Sequence, residues 1–117
     1  MSGSLSYHSG RVAEDQVAAH YQRQGMTIAA SRWRGQSGEI DLIVRAGASV
    51  IFIEVKRARN FALAAERLSA RQMARILGAA SEFVEGEPLG QNTDMRFDVA
   101  LVDGSGQIEI IDNAISH

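Results

Sequence analysis

The chain has 117 residues, 45% hydrophobic and 22% charged, with a formal net charge of −2 and no cysteine. This suits one domain with a real hydrophobic core and leaves no room for two. Disulfides and thiolate metal sites are excluded, which fits a reducing compartment, and no apolar run approaches the ~20 residues that span a bilayer.

Residues 1–9 read as a flexible N-terminus without the hydrophobic stretch of a signal peptide, and the whole of 1–117 as one cytoplasmic domain. Residues 11–24 follow a helical pattern through Ala13, Val17, Tyr21 and Gln24, with Gly25 as the stop. Glu14 stands at i with Val17, Ala18 and Tyr21 at i+3, i+4 and i+7, so it leans toward the covered side. Residues 26–33 are expected as a strand and 35–38 as a turn. Residues 39–45 and 50–57 form the second and third strands. Ser69 is placed to cap a second helix reaching about Val84, with an inner stripe of Met73, Ile76, Leu77, Ala80 and Phe83. Residues 85–93 read as a loop. Residues 96–102 alternate as a strand, with Phe97, Val99 and Leu101 on one face. A turn at 103–106 then leads into a short strand at 107–111. The order is helix, three strands, helix, two strands: an α/β fold with a central mixed sheet flanked by helices.

The second and third strands carry Asp41, Glu54 and Lys56, and acids are depleted in strands. A two- or four-residue turn between them makes paired residue numbers sum to 95, which sets Asp41 opposite Glu54 on one face. Lys56, two residues on, shares that face. Two carboxylates so placed repel unless a proton, a cationic side chain or a metal ion lies between them. Mg²⁺ suits the third remedy because it takes oxygen ligands and keeps several waters. A structural ion-pair cluster fits the spacing equally well. Glu39 has the parity of Asp41 but lies nearer the strand start, where a solvated Glu is expected.

Charge is unevenly spread. Residues 1–75 carry 11 of the 12 Lys and Arg against 6 acids, whereas residues 76–117 carry Arg96 against 8 acids. Arg57, Arg59, Arg67, Arg71 and Arg75 follow the third strand into the second helix, where Arg71 and Arg75 share a face. They read as a phosphate-contacting track or, nearly as well, a solvated surface. Trp33 reads as a half-buried strand aromatic rather than a base-stacking platform. His8, His20 and His117 lack metal-ligand spacing.

The segments GRVAEDQVA (10–18), RWRGQSGEIDLI (32–43), VIFIEVKR (50–57), RFDVALV (96–102) and IIDNAI (110–115) resemble the hallmarks of the YraN family (UPF0102). Asp41 with Glu54-Val55-Lys56 resembles the motif of the PD-(D/E)xK restriction-endonuclease-like superfamily. The resemblance implies the fold order αβββαβ(β) and a metal-dependent nuclease acting on DNA, with structured or branched DNA as a candidate substrate. The alternative is an inactive nucleic-acid-binding or protein-interaction module of the same fold. By analogy with archaeal Holliday-junction resolvases, it also implies catalytic Glu14, Asp41, Glu54 and Lys56. Mg²⁺ or Mn²⁺ would be held by Asp41, Glu54 and the carbonyl of Val55, in a homodimer. Nucleic acid would meet Arg57, Arg59, Arg71, Gln72 and Arg75. Gln72 stands where the family usually carries Lys, and Arg57-Ala58-Arg59 replaces its common Thr-Arg, so the phosphate-facing side departs from the pattern.

Overall fold

A computed structural model describes the backbone of residues 2–62 and 69–114 and the side chains of 11–62 and 69–114. Helix α1 (Ser2–Arg23) leads into β1 (Thr27–Arg34), β2 (Glu39–Ala46) and β3 (Ser49–Arg57). Helix α2 (Ala70–Val84) follows, then a 3₁₀ turn (Gly90–Asn92), β4 (Met95–Val102) and β5 (Ile108–Ile111). This is the order expected from the sequence. The five strands lie in chain order in one sheet, with β3 and β4 parallel and the other neighbours antiparallel. Parallel neighbours need a crossover connection, and α2 lies on it.

Each helix covers one face of the sheet. From α1, Ala13, Val17 and Tyr21 pack on Leu42, Val44, Ile51, Ile53, Ala100 and Val102. From α2, Ile76, Ala79, Ala80 and Val84 pack on Ile40, Ile43, Val50, Phe52 and Phe97. β3 and β4 are therefore buried on both faces, which is why their sequences run apolar with few interruptions. Among the described residues no helix is long and apolar enough to cross a membrane.

Two expectations shift. Helix α1 starts at Ser2 rather than Arg11. Residues 2–10 hold weak helix formers without apolar periodicity, but extending a helix already nucleated costs little. The inner stripe of α2 holds at Ile76, Ala80 and Phe83, but Leu77 is 39% exposed, and Ala79 and Val84 are buried. Reading by side-chain size favoured Leu77, whereas the helix approaches the sheet through its small residues.

That close approach depends on Gly78. A Cβ there would meet Ser37 Cβ at 2.7 Å and Oγ at 2.8 Å. The β1–β2 turn is thus seated on α2, and Glu82 fixes it by accepting the N–H groups of Gln36 (2.6 Å) and Ser37 (2.8 Å). Both hydrogen bonds hold the Glu82 carboxyl below its ordinary range, with the Ser37 side chain contributing most. Ala is the better helix former by about 1 kcal/mol. Overpacking against an anchored Cβ costs about 1–3 kcal/mol, so Gly78→Ala should lose up to about 2 kcal/mol net. Thermal melting checks this, and adding Ser37→Gly should recover most of the loss.

Candidate functional site

The hairpin sets the site. β2 and β3 are joined by Gly47-Ala48, with Gly47 at φ +64°, a left-handed conformation that suits the first position of a type II′ turn. The ladder pairs Ala46 with Ser49 through to Leu42 with Ile53, so every pair sums to 95, as expected. Asp41 is the next residue beyond the ladder. There its side chain replaces a backbone partner: Val55 N–H donates to Asp41 Oδ2 at 2.8 Å.

Glu54 is buried, at 6% exposure, and its carboxyl is hydrogen-bonded to Asp41. Burial, the Asp41 hydrogen bond and the Asp41 charge push the Glu54 carboxyl far above the ordinary carboxylate range, to about 9. Lys56 and Gln72 pull it the other way without overcoming that rise. Burial and the facing acid thus favour one proton held between the two carboxyls. Of the three remedies for two facing acids, the protein itself supplies this one.

Gln72, from the first turn of α2, joins the other two charges. Ser69 caps this helix by accepting Gln72 N–H at 3.1 Å, which fixes where the Gln72 side chain starts. Lys56 Nζ donates to Gln72 Oε1 at 2.8 Å, and Gln72 Nε2 donates to Glu54 Oε2 at 2.5 Å. An ammonium has only donors, so it must take the amide oxygen, leaving the amide nitrogen for Glu54. Asp41, Glu54, Lys56 and Gln72 thus form one connected group.

Glu14 reaches β1 beside the site, because Arg32 lies between the Ser31–Leu42 and Trp33–Ile40 pairs, at the register position of Asp41. Its carboxylate accepts from Arg32 Nε at 2.8 Å, and Arg32 sits at φ +51° within β1. Among the described residues, no group of three or more His, Cys, Asp or Glu side chains is placed to hold a metal. Arg71 and Arg75 are exposed on α2, and Arg57 and Arg59 are exposed at the end of β3. Arg67 and the rest of 63–68 lie outside the described residues, as do His117 and the side chain of His8. Trp33 is half-buried and packs edge-on against Phe83, as expected of a strand aromatic. Glu39 is exposed, also as expected.

A second polar cluster was not foreseen. Asp98 is 1% exposed and accepts from Tyr21 Oη (2.7 Å), Arg96 Nε and Nη2 (2.9 Å each) and Asn113 N (3.1 Å). An Asp inside an apolar strand flanked by Arg96 was the available signal.

Fold and site together define an α/β domain with a carboxyl pair, a lysine and a glutamine gathered where β2 and β3 leave their ladder. The model of the family described as "Uncharacterised protein family UPF0102" matches residues 13–102. A UPF0102 protein of Cereibacter sphaeroides (strain KD131) is 64% identical over 116 residues, covering 99% of each chain. One from Ruegeria pomeroyi is 54% identical, covering 98% of this chain and 94% of its own. One from Dinoroseobacter shibae is 41% identical, covering 95% and 83%. The chain belongs to the UPF0102 family.

Proposed function

We propose that the chain is a cytoplasmic, metal-dependent nuclease of the PD-(D/E)xK superfamily. On this reading it hydrolyses phosphodiester bonds in DNA, with branched or otherwise structured DNA as substrate, and works as a homodimer in the manner of archaeal Holliday-junction resolvases. The observation that carries this reading is the Asp41–Glu54 carboxyl pair with Lys56 on the same strand and face. An oxygen-only donor set with two adjacent carboxyls fits a hard divalent cation, and Asp41, Glu54 and the Val55 carbonyl would hold Mg²⁺ or Mn²⁺. When bound, such an ion lowers the pKa of its water and offsets charge developing on phosphate.

The chain's own groups then have distinct tasks. Glu54 must give up its shared proton before it can act as a full carboxylate. Asp41 stays oriented by Val55 N–H. Lys56, once it turns from Gln72, sets a positive charge beside the transferring phosphoryl group. Gln72 keeps both side chains in place until then.

A second reading is a nucleic-acid-binding module without turnover. It is favoured by the hydrogen bonds that occupy Glu54, Lys56 and Glu14 internally. A divalent-ion titration followed by melting temperature separates the two. Ligand at one hundred times its Kd stabilises by about 2.7 kcal/mol, and Asp41→Ala should abolish that rise. The wild type should then cut at least one of a panel of linear, flapped and four-way DNAs in Mg²⁺ or Mn²⁺, and Lys56→Ala should not. Salt-dependent DNA binding with no cleavage of any substrate would favour the binding module instead.

A further inference from the structure

We infer that Arg32 restricts the site to a single divalent ion, because its guanidinium holds the Glu14 carboxylate that a second ion would need. The inference rests on the metal-dependent reading of the Asp41–Glu54 pair and adds the number of ions to it.

Position is the first reason. Arg32 lies between the Ser31–Leu42 and Trp33–Ile40 pairs, so β1 presents it at the level of Asp41 on β2. Neighbouring strands run about 4.8 Å apart. Glu14 reaches that level from α1, since its Oε1 accepts from Arg32 Nε at 2.8 Å. Three elements thus carry an acid toward the end of the β2–β3 ladder: α1 with Glu14, β2 with Asp41 and β3 with Glu54.

Donor supply is the second reason. One ion on Asp41, Glu54 and the Val55 carbonyl uses both facing carboxyls. In two-ion hydrolytic sites the second ion stands about 3.5–4 Å away, and Mg²⁺ is usually held by one or two carboxylates of its own. Glu39 is exposed at the start of β2, opposite Arg34. Asp98 is sealed inside with four hydrogen bonds. Glu14 is the carboxylate left at the level of Asp41, and Arg32 holds it.

Permanence is the third. A guanidinium keeps its charge throughout the accessible pH range, so the pair persists wherever Glu14 is ionised. The two side chains are 33% and 20% exposed, which leaves them less screened than a surface pair. The backbone fixes the cation as well. Arg32 stands at φ +51°, a conformation that a non-glycine residue keeps only where its surroundings over-determine it. Here the flanking ladder pairs and the edge-on contact of Trp33 with Phe83 do so.

The test counts Mn²⁺ bound per chain without DNA, from the loss of the free-ion electron paramagnetic resonance signal. The wild type should bind one ion, and Asp41→Ala none. Arg32→Asn keeps a residue that tolerates left-handed backbone and releases Glu14, so it should bind two. Adding Glu14→Gln to that variant should return the count to one. Arg32→Gly, which takes a positive φ freely, gives the same comparison if the Asn variant does not fold. Two ions on the wild type, or one on the Arg32 variants, would overturn the inference and leave the nuclease reading intact. No ion on the wild type would overturn both.

Discussion

Asp98→Ala is expected to cost about 3–5 kcal/mol of folding stability, because it removes the shared acceptor of a buried network. The carboxylate lies fully inside, between α1, β4 and the segment after β5, and receives four hydrogen bonds. Arg96 keeps a 40% exposed side chain and can turn to water when its partner is removed. Tyr21 cannot, since it is only 2% exposed, and an unmatched buried hydroxyl costs about 1–3 kcal/mol. The Asn113 N–H loses its acceptor as well, with Asn113 already at φ +50°, which non-glycine residues adopt sparingly. At about 4 °C per kcal/mol the melting temperature should fall by roughly 12–20 °C. Tyr21→Phe removes one donor and leaves the acceptor satisfied, so it should cost less, about 1.5 kcal/mol. Burial, followed by the hydrogen bond to Asp98, holds the Tyr21 phenol well above its ordinary range, so it donates throughout the accessible pH range. A loss under about 1 kcal/mol for Asp98→Ala would mean that the network does not anchor α1 to β4.

What was legible in the sequence follows from how local its causes are. The β2–β3 register depends on a two-residue turn and on strand alternation, both written within twenty residues, and it brought Asp41 to Glu54 as expected. The Ser69 cap and the stop at Gly25 are likewise local. The unforeseen features depend on distant partners or unusual backbone. Tyr21 and Asp98 are 77 positions apart, and no periodicity links them. Arg32 takes a positive φ inside a strand, which nothing about arginine announces, and its guanidinium holds Glu14. The resemblance put Gln72 on the side that faces phosphate. Its amide spans Lys56 and Glu54, where Gly78 and the Glu82 clamp bring α2 close to the sheet. Leu77 was misplaced for a related reason: Ala79 and Ala80 decide how near the helix comes, although Leu77 is larger.

Glu54→Gln is expected to make the protein more stable than the wild type at about pH 8, while removing its response to divalent ions. Folding raises the Glu54 pKa to about 9, so between the ordinary carboxylate range and that value the folded state binds one more proton than the unfolded state. Stability then falls as pH rises, by up to about 1.4 kcal/mol per pH unit, and its full contribution is present only below the unfolded pKa. Glu87 behaves oppositely: the hydrogen bond from Arg45 lowers its pKa, so its contribution is lost as pH drops below the ordinary carboxylate range. The two windows do not overlap, and wild-type stability should peak near pH 5. Gln at position 54 imitates the protonated acid: its amide N–H can donate to Asp41 and its oxygen can accept from Gln72. The variant should therefore keep its stability between about pH 5 and 9 where the wild type declines, and should melt above the wild type at pH 8. The same change deletes one of two carboxylates, so Mn²⁺ should no longer raise the melting point. Parallel decline of both proteins across that range would show that no proton bridges Asp41 and Glu54. The wild type would then owe its loss of stability at high pH to another group. With the proton in place, site and fold pull in opposite directions: the acid that suits a cation is the one folding prefers neutral.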